Sequence, residues 1–211
     1  MVKADFAGSF RFIRREKPAI GQGLLVICGI NLFLSAMIIV GLPYMITEVL
    51  DLEAAWANKL YGFAQGALAA GGLAGGICGG IFAGRMCIQK SGKLIVAAAI
   101  CVLPIGAGLF LFSSGMINYL IMTACCFTIM VFSTIFTIQM MSFVQAQTPP
   151  RLIGKVMAVM MTVSMCAQPF GNAMYGVLFE VCKGYEYVVV LFAGIVSLAL
   201  ALRAGHIFRG I

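Results

Sequence analysis

Long stretches without a charged residue restrict the fold of this sequence more than any other feature. Four of them cover residues 18–47, 60–84, 94–150 and 156–179. Only 10% of the residues are charged, whereas soluble domains carry about 25%. The hydrocarbon core of a bilayer is about 30 Å thick, and a helix needs roughly 20 apolar residues to cross it. The sequence therefore predicts an all-α protein whose helices span a membrane.

The number of crossings follows from the lengths of these stretches. Residues 94–150 are too many for one helix, and the Ser-Ser-Gly sequence at residues 113–115 divides them in two. A last and shorter apolar run lies between Glu186 and Arg203. Tyrosines at its start suit the membrane interface, and the arginine at its end can extend to the surface. We therefore predict a bundle of six transmembrane helices in residues 20–211.

Residues 1–19 precede the first apolar stretch and form a separate segment. Phe6, Phe10 and Ile13 recur at helical spacing beside several arginines. This pattern is typical of an amphipathic helix that lies on the membrane surface. A solvated cytoplasmic linker is the alternative interpretation, and the sequence does not separate the two.

The basic residues alternate between successive connecting segments. With six crossings, every lysine and arginine except Lys59 and Lys183 falls on the same side of the membrane. Segments rich in lysine and arginine are retained in the cytoplasm. We therefore predict a multi-pass protein of the cell membrane, an inner membrane where there are two, with both ends of the chain in the cytoplasm.

Several functional classes do not fit the residues present. The formal charge is +7, but the basic residues form no stripe interleaved with aromatics, so nucleic acid is not an expected partner. The cysteines form no CxxC pair and His206 is the only histidine, so no metal site is expected. No catalytic triad, facing carboxylate pair or phosphate-binding loop occurs, so we expect neither an enzyme nor a cofactor. The absence of titratable residues at mid-membrane depth also argues against proton coupling by this chain alone.

The second apolar stretch is unusually rich in glycine. Gly72, Gly76 and Gly80 recur every fourth residue and therefore lie on one face of a helix. Small residues let helices approach closely in lipid, so we predict that this face packs against another helix. A smooth face that permits sliding or rocking between helices is a functional extension of this interpretation. The face is broadened by three more glycines, namely Gly71, Gly75 and Gly79.

Polar residues inside the apolar stretches are costly and therefore informative. They are concentrated in the first, second, fourth and fifth predicted helices, while the third and sixth carry almost none. A polar cavity between the four helices explains this distribution, and hydrogen bonds between helices without a cavity would explain it too. The candidate cavity residues are Asn31, Gln65, Gln139, Gln168 and Asn172.

Three segments resemble sequence motifs of the major facilitator superfamily. Residues 80–85 (GIFAGR), followed by the Lys-Ser-Gly-Lys of residues 90–93, resemble its loop signature of glycine, three residues, an acidic residue or glycine, and arginine. Residues 148–156 (TPPRLIGKV) are similar to the proline and Arg-Gly-Arg-Val segment of its drug and siderophore exporters. Residues 168–172 (QPFGN) resemble their next landmark, a Pro-hydrophobic-Gly run.

The resemblance covers essentially the whole chain and implies the C-terminal six-helix half of a twelve-helix transporter, in the drug, macrolide and siderophore exporter group. In such a half, helices one, two, four and five line the cavity while helices three and six lie outside. Two positions depart from the family pattern, because Gly84 replaces an acidic residue and Ile153 stands where arginine is usual. The residues implied at a cytoplasmic gate are Gly80, Gly84, Arg85, Lys93 and Lys155.

The resemblance and the distribution of polar residues predict half of a secondary active transporter, which exports a drug-like or amphipathic solute by alternating access. Its partners would be the lipid bilayer, a small-molecule solute and a second six-helix half, supplied by a separate chain or by another copy. An uptake carrier of the same fold is one alternative. A non-transporting membrane fragment or interaction module is the other.

Overall fold

The computed structural model describes residues 17–50, 52–82 and 88–209. Most of the predicted N-terminal arm and the predicted gate residues Gly84 and Arg85 lie outside the described residues. Within the described helices, the side chains without a description are those of residues 54–55, 82, 88–90 and 206–209.

The described chain is all-α, and six of its helices are long and apolar enough to cross a membrane. The predicted all-α fold with six transmembrane helices is therefore confirmed, including the interruption near residue 114 and the short last span. The protein is a multi-pass membrane protein. The helices are α1 (Pro18–Val49), α2 (Ala54–Phe82), α3 (Ile88–Ile100 and, after a turn, Leu103–Leu111), α4 (Gly115–Gln147), α5 (Ile153–Val181) and α6 (Glu186–Arg209).

Prolines explain where several helices begin or change direction. Pro18 occupies the first turn of α1, a position where the missing amide hydrogen costs nothing. Pro104 lies at the start of the second part of α3 and cannot donate a hydrogen bond to the preceding turn. It therefore separates the two parts of this helix. Pro43 and Pro169 lie inside α1 and α5, which continue past them.

The helices pack as three pairs. α2 runs along α4, α1 along α5, and α3 along α6. α3 also contacts α4, and α6 also contacts α1, so α3 and α6 lie together behind the other four. This arrangement leaves space between the α1–α5 pair and the α2–α4 pair.

Glycines set the distance between α2 and α4. A Cβ atom placed on Gly71 would lie 2.5 Å from the carbonyl oxygen of Phe127. One placed on Gly75 would lie 2.7 Å from the carbonyl oxygen of Val131. Both distances are shorter than van der Waals contact, so only glycine permits this approach of the two backbones.

The prediction that Gly72, Gly76 and Gly80 form the close-packed face is wrong within this chain. A Cβ atom on Gly76 or Gly80 would have no neighbour within 4 Å, and one on Gly72 would reach only the end of the Met130 side chain at 3.8 Å. Successive residues of a helix point about 100° apart. The set that begins one residue earlier, at Gly71, therefore faces α4.

The first prediction compares leucine substitutions on these two glycine faces. We expect Gly75→Leu to lower the free energy of unfolding by about 1–3 kcal/mol or more, because the side chain would force α2 and α4 apart. Gly76→Leu should change it by less than about 0.5 kcal/mol, since the position is open in this chain. Circular dichroism during titration with sodium dodecyl sulfate in mixed micelles measures both values. Equal losses for the two variants would contradict the assignment of the faces.

Candidate functional site

A cavity of about 450 Å³ lies between α1, α2, α4 and α5. These are the four helices on which the sequence concentrates its polar residues. The wall is mostly apolar, with a few uncharged polar side chains. The apolar lining residues are Leu34, Ile38, Ile39, Leu68, Ala69, Gly72, Ile129 and Met130, and the polar ones are Asn31, Ser35, Gln65, Ser133 and Gln168.

Asn31 lies where α1 changes its hydrogen-bond pattern. The segment Asn31–Ser35 forms a π-helical turn, which accommodates one extra residue before the α-helix resumes. The Asn31 side-chain nitrogen donates a hydrogen bond to the carbonyl oxygen of Ser164 in α5 at 3.0 Å. The Ser35 hydroxyl donates to the Asn31 side-chain oxygen at 3.4 Å. Asn31 therefore joins α1 to α5 with the same amide that lines the cavity.

The π-helical turn of α1 also packs directly against the backbone of α5. A Cβ atom placed on Gly171 would collide with the carbonyl oxygen of Leu32 and would lie 2.6 Å from the Cβ of Ala36. The glycine of the QPFGN motif thus permits this contact. Together with the Asn31 hydrogen bond, it fixes the two helices at the depth of the cavity.

Two glutamines line the cavity from opposite helix pairs. The Gln65 side-chain nitrogen of α2 donates to the Tyr61 hydroxyl at 2.7 Å, one helical turn away, so its oxygen is left as an acceptor. Gln168 of α5 lines the cavity and forms no hydrogen bond with another described residue. Gln168 therefore presents both the donor and the acceptor of its amide to whatever occupies the cavity.

Two of the five predicted cavity residues, Gln139 and Asn172, do not line it. Gln139 lies six residues beyond Ser133 on α4, so its side chain points to a different face, where it is 5% exposed. Asn172 follows Gly171, at the closest approach of α5 to α1. Its side-chain oxygen is buried without a hydrogen-bond partner among the described residues.

The sequence interpretation missed two serines of the cavity wall. Ser35 follows Asn31 by four residues and thus shares its helix face, a spacing that could have identified it. On α4 the serine that lines the cavity is Ser133, while its neighbour Thr134 packs against α2, where a Cβ on Gly75 would lie 2.9 Å from the threonine Cβ. No sequence signal separates these two adjacent residues.

Those predicted gate residues that the structure describes lie at the end of the bundle where α1, α3 and α5 begin. Lys93 and Lys155 are exposed near the starts of α3 and α5, and Gly80 is exposed near the end of α2. At the same end, the Lys17 ammonium donates to the side-chain oxygen of Gln147 at 2.8 Å. This hydrogen bond connects the start of α1 to the end of α4.

The cavity is suited to binding rather than to acid–base chemistry. None of its described lining residues is titratable, so the wall offers no group that could take up or release a proton. Its amides and hydroxyls can donate and accept hydrogen bonds without charge. Isolated charges are expensive to bury in such surroundings.

Comparison with models of protein families gives a match that covers most of the chain. The family model described as Major Facilitator Superfamily matches residues 2–172, a segment that includes α1 to α4 and most of α5. No curated protein and no solved structure matches the chain.

The second prediction concerns the hydrogen bond between α1 and α5. We expect Asn31→Ala to lower the free energy of unfolding in mixed micelles by about 0.6–1.7 kcal/mol, the range for polar contacts between membrane helices. Asn172→Ala is the matched control, because its side-chain oxygen has no partner among the described residues. The control should lose less than about 0.5 kcal/mol. A larger loss for Asn172→Ala than for Asn31→Ala would refute the structural role of Asn31.

Proposed function

This chain belongs to the major facilitator superfamily, and on that premise we propose that it is one half of a secondary transporter that exports a small amphipathic solute by alternating access. Members of the family are transporters, so the coarser function follows from membership. The observation that carries the finer proposal is the uncharged cavity between α1, α2, α4 and α5. Solute sites of such transporters lie near the middle of the membrane, between the moving parts.

The wall of the cavity favours a solute whose enclosed part is largely apolar and carries no charge. Its volume of about 450 Å³ falls in the range of about 300–1,000 Å³ that is usual for small-molecule sites. Gln168 can give and receive a hydrogen bond, and Gln65 and Ser133 add further uncharged contacts. The remaining wall is formed by aliphatic side chains and Met130, whose flexible thioether adapts to different shapes.

A second six-helix half is proposed because alternating access requires one bundle to move against another. Large apolar side chains on the cavity-forming helices are exposed in this chain. They include Leu73 and Ile77 on α2 and Phe170 and Val177 on α5, each more than 60% exposed. Such a surface is suited to contact with a second protein half or with lipid. The second half could be a separate chain or another copy of this one.

We place the gate of this transporter at the end of the bundle that carries Lys93 and Lys155. Lys93, Arg151 and Lys155 at this end support a cytoplasmic location, because segments rich in lysine and arginine are retained in the cytoplasm. Because the described cavity wall contains no titratable group, we propose that any proton that drives transport binds outside this cavity, and the second half is one such place.

The third prediction compares transport by this chain alone with transport by its assembly with a second six-helix half. Purified chain is reconstituted in vesicles with an imposed pH gradient, alone and with any six-helix chain that co-purifies with it. The neutral lipophilic dye Nile red is the probe. We expect gradient-dependent accumulation only when a second half, or a second copy, is present. Accumulation by chain that is demonstrably monomeric would overturn the proposal. The absence of accumulation from every assembly would favour the non-transporting membrane protein.

The same assay examines the role of Gln168 in the active assembly. Gln168→Leu removes the one cavity amide that has no partner among the described residues, and the KM for Nile red should rise about two- to tenfold, as the loss of one neutral hydrogen bond predicts. Gln139→Leu is the control, since it changes the same residue type away from the cavity wall. An equal KM increase in both variants would show that Gln168 does not contact the dye.

The fourth prediction concerns topology. In a chain without its native cysteines, a cysteine at position 183 should react with a membrane-impermeant maleimide added from outside, and a cysteine at position 90 should not. Position 90 lies between the second and third membrane spans, and position 183 lies between the fifth and sixth. These two connections are on opposite sides of the membrane when the chain crosses it six times. Labelling of position 90 from outside would reverse the orientation and with it the location of the gate.

A further inference from the structure

A second cavity, of about 300 Å³, lies at the opposite end of the bundle from the gate residues. It is formed where α1 has ended and where α2 and α4 begin. Its lining residues come from the α1–α2 connection, from the first two turns of α2 and from the start of α4. They are Leu52, Glu53, Trp56, Leu60 and Met116.

Contacts between backbone segments hold this second cavity in shape. The backbone amides of Trp56 and Ala57 donate to the carbonyl oxygen of Glu53 at 2.8 and 2.9 Å, so the carboxylate stands at the first turn of α2. The Tyr119 hydroxyl of α4 donates to the carbonyl oxygen of Leu60 at 2.9 Å. In addition, Gly115 allows α4 to start directly against the α1–α2 connection. The cavity is therefore built by packed elements and is not a gap beneath a loop.

Opposite charges flank this apolar space. Glu53 is one of the residues of its wall. The Lys59 ammonium lies 5.0 Å from the centre of the ring of Trp56, another wall residue, and this cation–π contact keeps it beside the indole. Neither charge forms an ion pair with another described residue. The second cavity thus differs from the central one, whose described wall is uncharged.

The depth of Trp56 places the second cavity at the boundary between lipid and water. Trp56 is the first residue of the apolar span of α2, and 54% of its surface is exposed. Tryptophan is enriched at the level of the phospholipid headgroups, because its ring is apolar and its N–H is polar. Leu60 lies one helical turn further along α2 than Trp56, toward the apolar interior, and Met116 of α4 completes the apolar part of the wall.

We propose that the second cavity binds the headgroup of a phospholipid that carries a primary ammonium group, as phosphatidylethanolamine does. The lipid ammonium donates hydrogen bonds to the Glu53 carboxylate, and the Lys59 ammonium donates to the lipid phosphate. Charge-assisted hydrogen bonds of this kind distinguish a primary ammonium from the quaternary trimethylammonium of phosphocholine, which has no N–H hydrogen to donate. The first methylenes of the acyl chains lie against Leu60 and Met116. This proposal does not depend on the transported solute.

Trp56 is the only tryptophan of the chain, so its fluorescence reports directly on the second cavity. The full chain is placed in lipid nanodiscs that contain increasing fractions of phospholipids brominated at the same acyl positions, with phosphoethanolamine, phosphocholine or phosphoglycerol headgroups. Bromine quenches tryptophan on contact. We expect half-maximal quenching at a mole fraction about threefold lower for the phosphoethanolamine lipid than for the other two, the effect of one exposed ion pair.

Charge-neutralising variants identify the groups that recognise the lipid. Glu53→Gln should raise the half-maximal fraction of the phosphoethanolamine lipid to that of the phosphocholine lipid. Lys59→Gln should weaken quenching by all three lipids, since each carries the phosphate. Glu180→Gln and Lys183→Gln are matched controls, because these residues are exposed at the same end of the bundle, and they should leave the order of the lipids unchanged.

Two results would overturn the proposal. Equal quenching of the wild-type chain by the three brominated lipids would show that Trp56 is an interfacial anchor without a specific lipid. A loss of selectivity in Glu180→Gln as large as that in Glu53→Gln would assign the preference to the general charge of the surface. The wild-type series is decisive by itself if a variant does not fold.

Discussion

The close approach of helix backbones at glycine residues is the constraint on which the rest of the structure depends. Lipid tails are as apolar as the helices themselves, so the hydrophobic effect does not drive these helices together within the membrane. Gly71 and Gly75 allow α2 to contact α4, and Gly171 allows α5 to contact α1. These contacts lie within the α2–α4 and α1–α5 pairs, and the cavity lies between the two pairs. The glycines therefore set the helix distances within the pairs that border the cavity.

The sequence predicts the six helices well because the property that defines them is local. A charge-free stretch of sufficient length crosses the membrane whatever its neighbours are, and the interruption before Gly115 requires no knowledge of the fold. The orientation of a helix about its own axis is different. In α2 the glycine sets that begin at Gly71 and Gly72 have the same spacing, and only the position of α4 decides which one is packed.

The sequence predicts which four helices form the candidate site, but it predicts only some of the residues that line it. Asn31, Gln65 and Gln168 line the cavity, whereas Gln139 points to another face of α4. The side-chain oxygen of Asn172 is buried without a hydrogen-bond partner among the described residues. A polar residue in an apolar helix indicates that it needs a partner or a cavity, and its type does not say which. The π-helical turn at Asn31–Ser35 makes the lining residues of α1 harder to predict from the sequence, since it rotates the following residues away from the α-helical pattern.

The three side-chain amides of the cavity wall differ in how many of their hydrogen bonds are formed within the chain. Asn31 uses both its side-chain nitrogen and its side-chain oxygen for hydrogen bonds within the chain. Substitution of Asn31 therefore changes the α1–α5 contact as well as any contact with a bound solute. Gln168 lies on α5, one turn beyond the Ser164 that Asn31 contacts. Its side chain has no hydrogen-bond partner among the described residues. Because α1 and α5 are joined at Asn31 and at Gly171, we expect them to move together in the proposed transport cycle. The π-helical turn interrupts the regular hydrogen-bond ladder of α1, so any bend of α1 in that cycle is expected there.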